Sequence, residues 1–451
     1  MREIEIHDTQ TGQVVALHPR DPGRVGIYAC GPTVYGRIHI GNARPYVVFS
    51  VFKRFLEHEG YDVELVINVT DVNDKIYDAA VAEGVASAEL AARMTDAYRA
   101  DTDALGLGRP DHEPLASATI GPIVDYIQAL IDSGHAYAVD GDVYFRVRSD
   151  PGYGSLSHRR VDDMDQGEDD KGPHPPRKHD PLDFALWKVH KEGEDTRGPA
   201  PWGDGRPGWH IECSAMAEGL LGVGFDVHGG GSDLIFPHHE NEAAQTRSAR
   251  DAALARIWMH NGMVQFTGEK MSKSVGNIAP LHEVLAEYGA EAVVMFLISG
   301  HYRQPLVFSA AVMTQAQANV ARIREAGRRL EPHADSPAEL APLRDRFFAA
   351  LARDFNTPEA LAALNEWLRA AGDRDGPVGD SQLREMLGVL GLESLLAPAA
   401  EAPQQVRELA EQREHARARR DFAAADELRE RIAALGWEVR DEAHGFELLP
   451  L

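Results

Sequence analysis

Residues 25–68, VGIYACGPTVYGRIHIGNARPYVVFSVFKRFLEHEGYDVELVIN, carry the pattern on which the fold turns. VGIYAC reads as a short apolar strand. Apolar side chains then recur at helical spacing, with Val47, Val48, Val51, Phe52 and Phe55 on one stripe ahead of Gly60, and DVELVIN returns as a second strand. Strand, loop, helix and strand in about forty residues make a βαβ unit, whose parallel strands turn their carboxyl ends and the helix start toward a ligand. Residues 30–42 are therefore expected at a binding edge.

The alternation continues downstream. Residues 85–135 read as largely helical, GDVYFRV (141–147) as a strand, and the polar, proline-rich stretch within 150–182 as a loop. Strand signals resume at FDVHGGG (225–231) and RIWMHNGMVQF (256–266). A doubly wound α/β sheet over 1–310, interrupted by an insertion at about 110–200, accounts for this order. Beyond about residue 310, AAVMTQAQANVARIREAGRRL and ALAALNEWLRAAG predict an α-helical bundle over 311–400. APAAEAPQQ (397–405) reads as a linker to a small region over 401–451.

At 451 residues and 43 % hydrophobic content the chain suits several packed domains. No apolar run approaches the roughly 20 residues of a bilayer-spanning helix, and the start, MREIEIHDTQTG, lacks a secretory apolar stretch, so no membrane is expected and the expected compartment is the cytoplasm. Two cysteines, Cys30 and Cys213, argue against a disulfide framework and leave buried thiol, nucleophile or metal ligand as their roles. The formal net charge of −25 repels nucleic acid at long range while allowing a local basic patch.

Three stretches carry candidate chemistry. CGPTVYGRIHIGNARP (30–45) offers backbone N–H groups, a helix start and His39 to a phosphate. In HGGGSDLIFPHHENE (228–242) the glycines admit a ligand against bare backbone, Asp233 can accept from ribose hydroxyls, and His238 and Glu242 share a helical face as two metal ligands should. Joined by Cys30 and Cys213 these would complete a tetrahedral zinc site, although ligands so scattered leave two buried thiols as the ordinary reading of the spacing alone. In FTGEKMSKSVGN (266–277) Lys270 and Lys273 sit between glycines and can swing onto nucleotide phosphates.

HIG early and KMSKS late, either side of an interrupted βαβ sheet, resemble the signatures of class I aminoacyl-tRNA synthetases. YACGPTVY, NVTDVNDK, PGWHIECSAM, HGGGSDLIFPHHENE, GEKMSKSVGN and DFNTPEAL, in that order, resemble the cysteinyl-tRNA synthetase family more closely. The resemblance implies a Rossmann-type catalytic domain, a helical bundle contacting the tRNA stem and a C-terminal anticodon-binding region. It implies activation of L-cysteine with ATP and magnesium to cysteinyl adenylate and pyrophosphate, then transfer to the tRNA specific for cysteine, by a monomer. By the same resemblance Cys30, Cys213, His238 and Glu242 hold one zinc ion per chain, and Thr70, Trp209 and His210 line the cysteine pocket. Thr33, His39, Gly41, Asn42, Gly230 and Asp233 would contact ATP, while Lys270 and Lys273 stabilise the departing pyrophosphate. The family's usual HIGH reads HIGN here; Asn42 can donate through its amide but carries no charge.

Zinc would select thiol over hydroxyl, because a soft thiolate binds it well and a serine hydroxyl poorly. The alternative activity is that of the mycothiol-pathway ligase, which joins cysteine to glucosaminyl inositol; the segment after residue 400 speaks for the synthetase. A non-catalytic tRNA-binding paralogue is disfavoured by the intact lysines and candidate ligands. Arg413, Arg417 and Arg420 share a predicted helical stripe that suits RNA phosphates or a salt-bridged surface, and Trp437 and Phe446 suit base stacking or a core.

Overall fold

The βαβ unit forms as the apolar pattern requires in the computed structural model, which describes residues 2–164, 178–191, 194–195, 197–266, 269–270, 279–397, 402–442 and 445–450. Strand Arg24–Ala29 leads through a short loop to helix Ile40–His58 and then to strand Asp62–Ile67. These two strands pair in parallel, Ile27 opposite Leu65, and strand Phe225–Gly231 lies on the other side of Arg24–Ala29 with Ala255–Asn261 beyond it. All four are parallel and mostly buried, which is why they read as near-continuous apolar runs rather than alternating ones. The expected α/β parallel sheet is thus present, and its carboxyl edge carries Cys30, Asn68, Ser232 and Gly262 in the next positions of the chain.

Two glycines permit the close approaches at this edge. A Cβ on Gly31 would lie 1.7 Å from the Asn68 carbonyl oxygen, and one on Gly229 would lie 1.9 Å from the Phe49 ring. Helix Ile40–His58 starts on a reciprocal cap: His39 Nδ1 accepts the Gly41 N–H at 3.1 Å, and Asn42 Oδ1 accepts the His39 N–H at 3.2 Å.

The insertion is an antiparallel sheet of Ala136–Val139, Asp142–Phe145, Phe184–Val189 and Gly205–Pro207, so it runs a few residues past 200. Its core gathers Ile123, Tyr126, Phe145, Leu186 and Trp187. Asp74 ties it to the main sheet, accepting from Lys188 Nζ at 2.8 Å and pairing with the buried Arg206, which also reaches Glu194 at 2.5 Å.

Helices Ala310–Arg328, Ala341–Ala352, Thr357–Gly372 and Ser381–Leu390 belong to the same unit as the sheet, which ends at Leu395. Helix Ala341–Ala352 and the turn after it meet helix Ile40–His58: the His58 ring stacks on Phe348 at 4.0 Å and Phe52 meets Phe355 edge-on at 5.1 Å.

Leu396–Leu451 forms a second unit. Helices Gln404–Ala418 and Phe422–Ala434 and the hairpin of Trp437–Glu442 with Gly445–Pro450 enclose Val406, Leu409, Ala410, Ile432, Trp437 and Val439. Trp437 is therefore core, with Phe446 partly buried against it. Of the two readings of the arginine stripe the salt-bridged one fits Arg413 and Arg417: Arg413 is buried and donates to both Asp441 oxygens at 2.7 and 3.1 Å, Arg417 pairs with the same carboxylate, and Arg420 lies past the helix end at φ +62°. The strand supplying Asp441 is distant in sequence, so helical spacing could not reveal it.

Candidate active site and metal centre

Four separate elements deliver the cluster. Cys30 follows the first strand of the sheet, Cys213 lies in helix Trp209–Leu221, and His238 and Glu242 come from the turn and helix that follow the glycine strand. All four are buried, and their ligand atoms lie within 4.8 Å of one another. Two sulfurs on one tetrahedral zinc ion, each at about 2.3 Å, stand about 3.8 Å apart, and a sulfur and a carboxylate oxygen about 3.6 Å. Cys30 Sγ is 3.8 Å from Cys213 Sγ and 3.7 Å from Glu242 Oε1, and His238 Nε2 is 3.0 Å from the same Oε1. Two thiols, an imidazole and a carboxylate at these separations are a donor set for a tetrahedral divalent ion.

Cys30 and Glu242 are also within ligand distance of His228 and His239, which spacing gave no reason to choose. Hydrogen bonding gives these histidines an orienting role. Thr9 Oγ1 lies 2.7 Å from His260 Nδ1, His260 Nε2 lies 2.7 Å from His239 Nδ1, and His239 Nε2 lies 3.3 Å from Cys30 Sγ. The relay closes in either sense, from the Thr9 hydroxyl through His260 and His239 to a Cys30 thiolate, or from the protonated Cys30 thiol through His239 and His260 to Thr9. His228 Nε2 lies 2.8 Å from Glu242 Oε2, and the Nδ1 atoms of His210 and His238 are 2.9 Å apart. Such outer partners fix ring orientation and tautomer around a metal.

Burial in the cluster favours the uncharged forms of its groups. Burial, with the Cys213 hydrogen bond next, pushes the Cys30 thiol well up. The bond from Cys30 pulls Cys213 down, but burial and Glu242 outweigh it and the net shift is upward. Burial raises the Glu242 carboxyl against the opposing pull of His228, and it drives His238 well below the imidazole range and His260 to about 3. A metal ion entering here must displace protons from the thiols.

Beside the cluster opens a cleft of about 430 Å³, which Cys30 also lines. Thr33, His39, Gly41 and Asn42 line it from the helix start, Trp209 from the Cys213 helix, and Gly231 and Asp233 from the glycine turn. Gly230 stands one residue behind, where a Cβ would meet Leu234 and His239. Because His39 Nδ1 accepts from Gly41, its neutral ring carries the proton on Nε2. Asn42 Oδ1 is occupied by the cap, which explains how Asn serves here structurally.

Thr70 and His210 are buried behind the cleft wall. Thr70 donates to Glu212 Oε2 at 3.2 Å, while Asn68 takes the Gly31 N–H at 3.0 Å, and the Trp209 ring stacks on His238 at 4.2 Å. Lys270 ends strand Glu269–Lys270, whose backbone alone is described, and Lys273 lies outside the described residues.

Residues 16–318 match the family described as tRNA synthetases class I (C) catalytic domain. The cysteine–tRNA ligase of Symbiobacterium thermophilum is 44% identical, covering 98% of this chain and 98% of its own, and that of Halorhodospira halophila is 45% identical with the same coverage. Among solved structures, Mycobacterium tuberculosis methionyl-tRNA synthetase in complex with methionyl-adenylate superposes with a TM-score of 0.59 at 17% identity, covering 83% of this chain and 89% of that one. The Agrobacterium radiobacter K84 LeuRS–tRNA–LeuAMS ternary complex gives 0.60 at 13%, covering 85% of each. The two solved structures share the fold, and the near-full-length relatives settle the family: the chain belongs to the cysteine–tRNA ligases among the class I aminoacyl-tRNA synthetases.

Proposed function

We propose that this protein activates L-cysteine with magnesium-bound ATP, releasing pyrophosphate, and transfers the cysteinyl group to the 3′ end of the tRNA specific for cysteine. One observation carries the reading: Cys30 belongs both to the buried four-donor cluster and to the lining of the cleft, so an amino acid in the cleft can present its side chain to the cluster. Cys30, Cys213, His238 and Glu242 hold one zinc ion, which supplies a soft Lewis acid that favours a thiol over a hydroxyl.

The chain's own groups do the rest. Trp209, stacked on His238, walls the amino-acid end, and Thr70 braces it from behind through Glu212. The start of helix Ile40–His58 turns the positive end of its dipole toward the cleft, and His39 can donate from Nε2 to a phosphate oxygen. Asp233 offers a carboxylate to ribose hydroxyls. Lys270 and Lys273 bring positive charge to the β- and γ-phosphates, where it acts most strongly as the leaving pyrophosphate gains charge. Lys273→Ala is therefore expected to slow single-turnover adenylate formation by about a hundredfold or more with little change in cysteine binding. A single-turnover rate equal to that of the unaltered enzyme would remove this role.

The helical bundle and the C-terminal unit receive the tRNA, and the enzyme acts as a monomer in the cytoplasm. Assaying cysteine-dependent ATP–pyrophosphate exchange, then acceptance of cysteine by tRNA and by glucosaminyl inositol, tests the reading as a whole. Charging of tRNA alone is expected. Transfer to the amino sugar alone, or no exchange, would overturn it.

A further inference from the structure

Arg44, on the helix that begins at His39, has no exposed surface, and no carboxylate pairs with it among the described residues. Its guanidinium instead donates to three main-chain carbonyls: Nη1 to Gly262 O at 2.5 Å and Met263 O at 3.3 Å, and Nη2 to His301 O at 3.2 Å. Gly262 and Met263 line the cleft opposite the helix start. They also begin the run through strands Val264–Phe266 and Glu269–Lys270 toward the KMSKS stretch. One side chain thus joins the two cleft walls that carry the phosphate-facing helix start and the lysine segment.

The turn is already held by its own backbone. Gly262 N–H donates to Tyr302 O at 2.7 Å, Leu306 N–H donates to Met263 O at 2.9 Å, and Asn261 Nδ2 reaches Gly262 O at 3.1 Å. The turn can therefore fold without the cation, and what Arg44 adds is registration against the helix. A planar fork of five donors spans carbonyls from two chain segments, whereas a lysine ammonium is a point charge. A buried charge satisfied only by carbonyl dipoles is costly, which makes this an unusual choice for a residue whose only task is packing.

We propose that Arg44 is a positioning residue for the nucleotide: it sets the distance between the helix start and the Gly262–Met263 wall, and so the fit of ATP, while leaving the metal cluster and the cysteine end untouched. This rests on the ATP-dependent activation proposed above. Arg44→Gln and Arg44→Lys, assayed by ATP–pyrophosphate exchange at varied ATP and varied cysteine, separate the two ends of the cleft. The expected result for Arg44→Gln is a rise of about tenfold in KM for ATP, with KM for cysteine within about twofold and zinc content unchanged, because a small misplacement of a bound reactant is felt at that reactant. Arg44→Lys, which keeps the charge, is expected to recover part of the loss. An unchanged KM for ATP, or equal rises for both substrates, overturns the proposal. Should Arg44→Gln fail to fold, the same comparison on Arg44→Lys decides, a several-fold rise confined to ATP supporting it. Absence of exchange in the unaltered enzyme would instead sink the proposed function, so the two failures are distinct.

Discussion

The cysteine-bearing cluster and the arginine face of the C-terminal unit present opposite relations between sequence and site. The cluster draws Cys30, Cys213, His238 and Glu242 from three stretches of the chain and leaves them facing one another, buried where the uncharged forms are favoured. The arginines lie close together on one predicted stripe, yet Arg413 and Arg417 are both turned onto Asp441 from a neighbouring strand. The arginine spacing suited RNA phosphates or a salt-bridged surface, and Asp441 takes up two of the three, while among the convergent donors only His238 and Glu242 had a local signature. Convergence with complementary chemistry, more than local density of charge, separates a site from a scaffold.

The strongest way to break this contrast is to remove one donor from the cluster. Glu242→Gln keeps the size of the side chain but lets the site bind a cation only weakly. Loss of outer partners alone costs about 10- to 100-fold in metal affinity, so loss of this ligand is expected to cost at least about a hundredfold. Competition against a zinc chelator would measure it; affinity within a few-fold of the unaltered protein would remove Glu242 from the ligand set, and no binding by the unaltered protein would make the cluster a polar core only.

Asp74 sharpens the contrast as an intermediate case, an ion pair with one partner deeply buried. Burial pushes its carboxyl up, but Lys188 and Arg206 outweigh this and hold it at about 2. An unfolded aspartate titrates at about 3.9, so the pair stabilises the fold above that pH, and the contribution fades as pH falls toward 2. Asp74 is 45% exposed, which discounts the effect to about 1 kcal/mol. Asp74→Asn is expected to lower stability by that amount at neutral pH and to flatten its acid dependence in denaturant titrations. An unaltered acid profile would remove the pair from the account.

The smallest effect is expected on the arginine face. If Arg413 serves Asp441, Arg413→Ala lowers the stability of the C-terminal unit by about 1 kcal/mol and leaves the salt dependence of tRNA binding unchanged. A salt slope shallower by about one would return Arg413 to the RNA and erase the distinction.

The βαβ unit was legible because strand and helix periods are local properties, and residues 25–68 carry both without interruption. The insertion sheet was less so, since strands such as Gly205–Pro207 are too short to show alternation. His238 and Glu242 show one helical face in the sequence, but the full four-donor set came from a family resemblance, because the fold brings a strand end and a helix 183 residues apart together, as it does Cys30 and Cys213. The histidine ring of His228, His239 and His260 was invisible for the same reason, although HHE and the strand histidines were in view. Arg44 escaped notice because its partners are backbone carbonyls, which leave no mark in the side-chain pattern.

Metal analysis of the purified, fully active protein, before and after chelation, bears most directly on the claim that these scattered donors form one ion site that grips the amino acid. The account predicts about one zinc ion per chain, lost together with the preference for cysteine over serine in ATP–pyrophosphate exchange. Full activity and undiminished preference in protein free of zinc would contradict it.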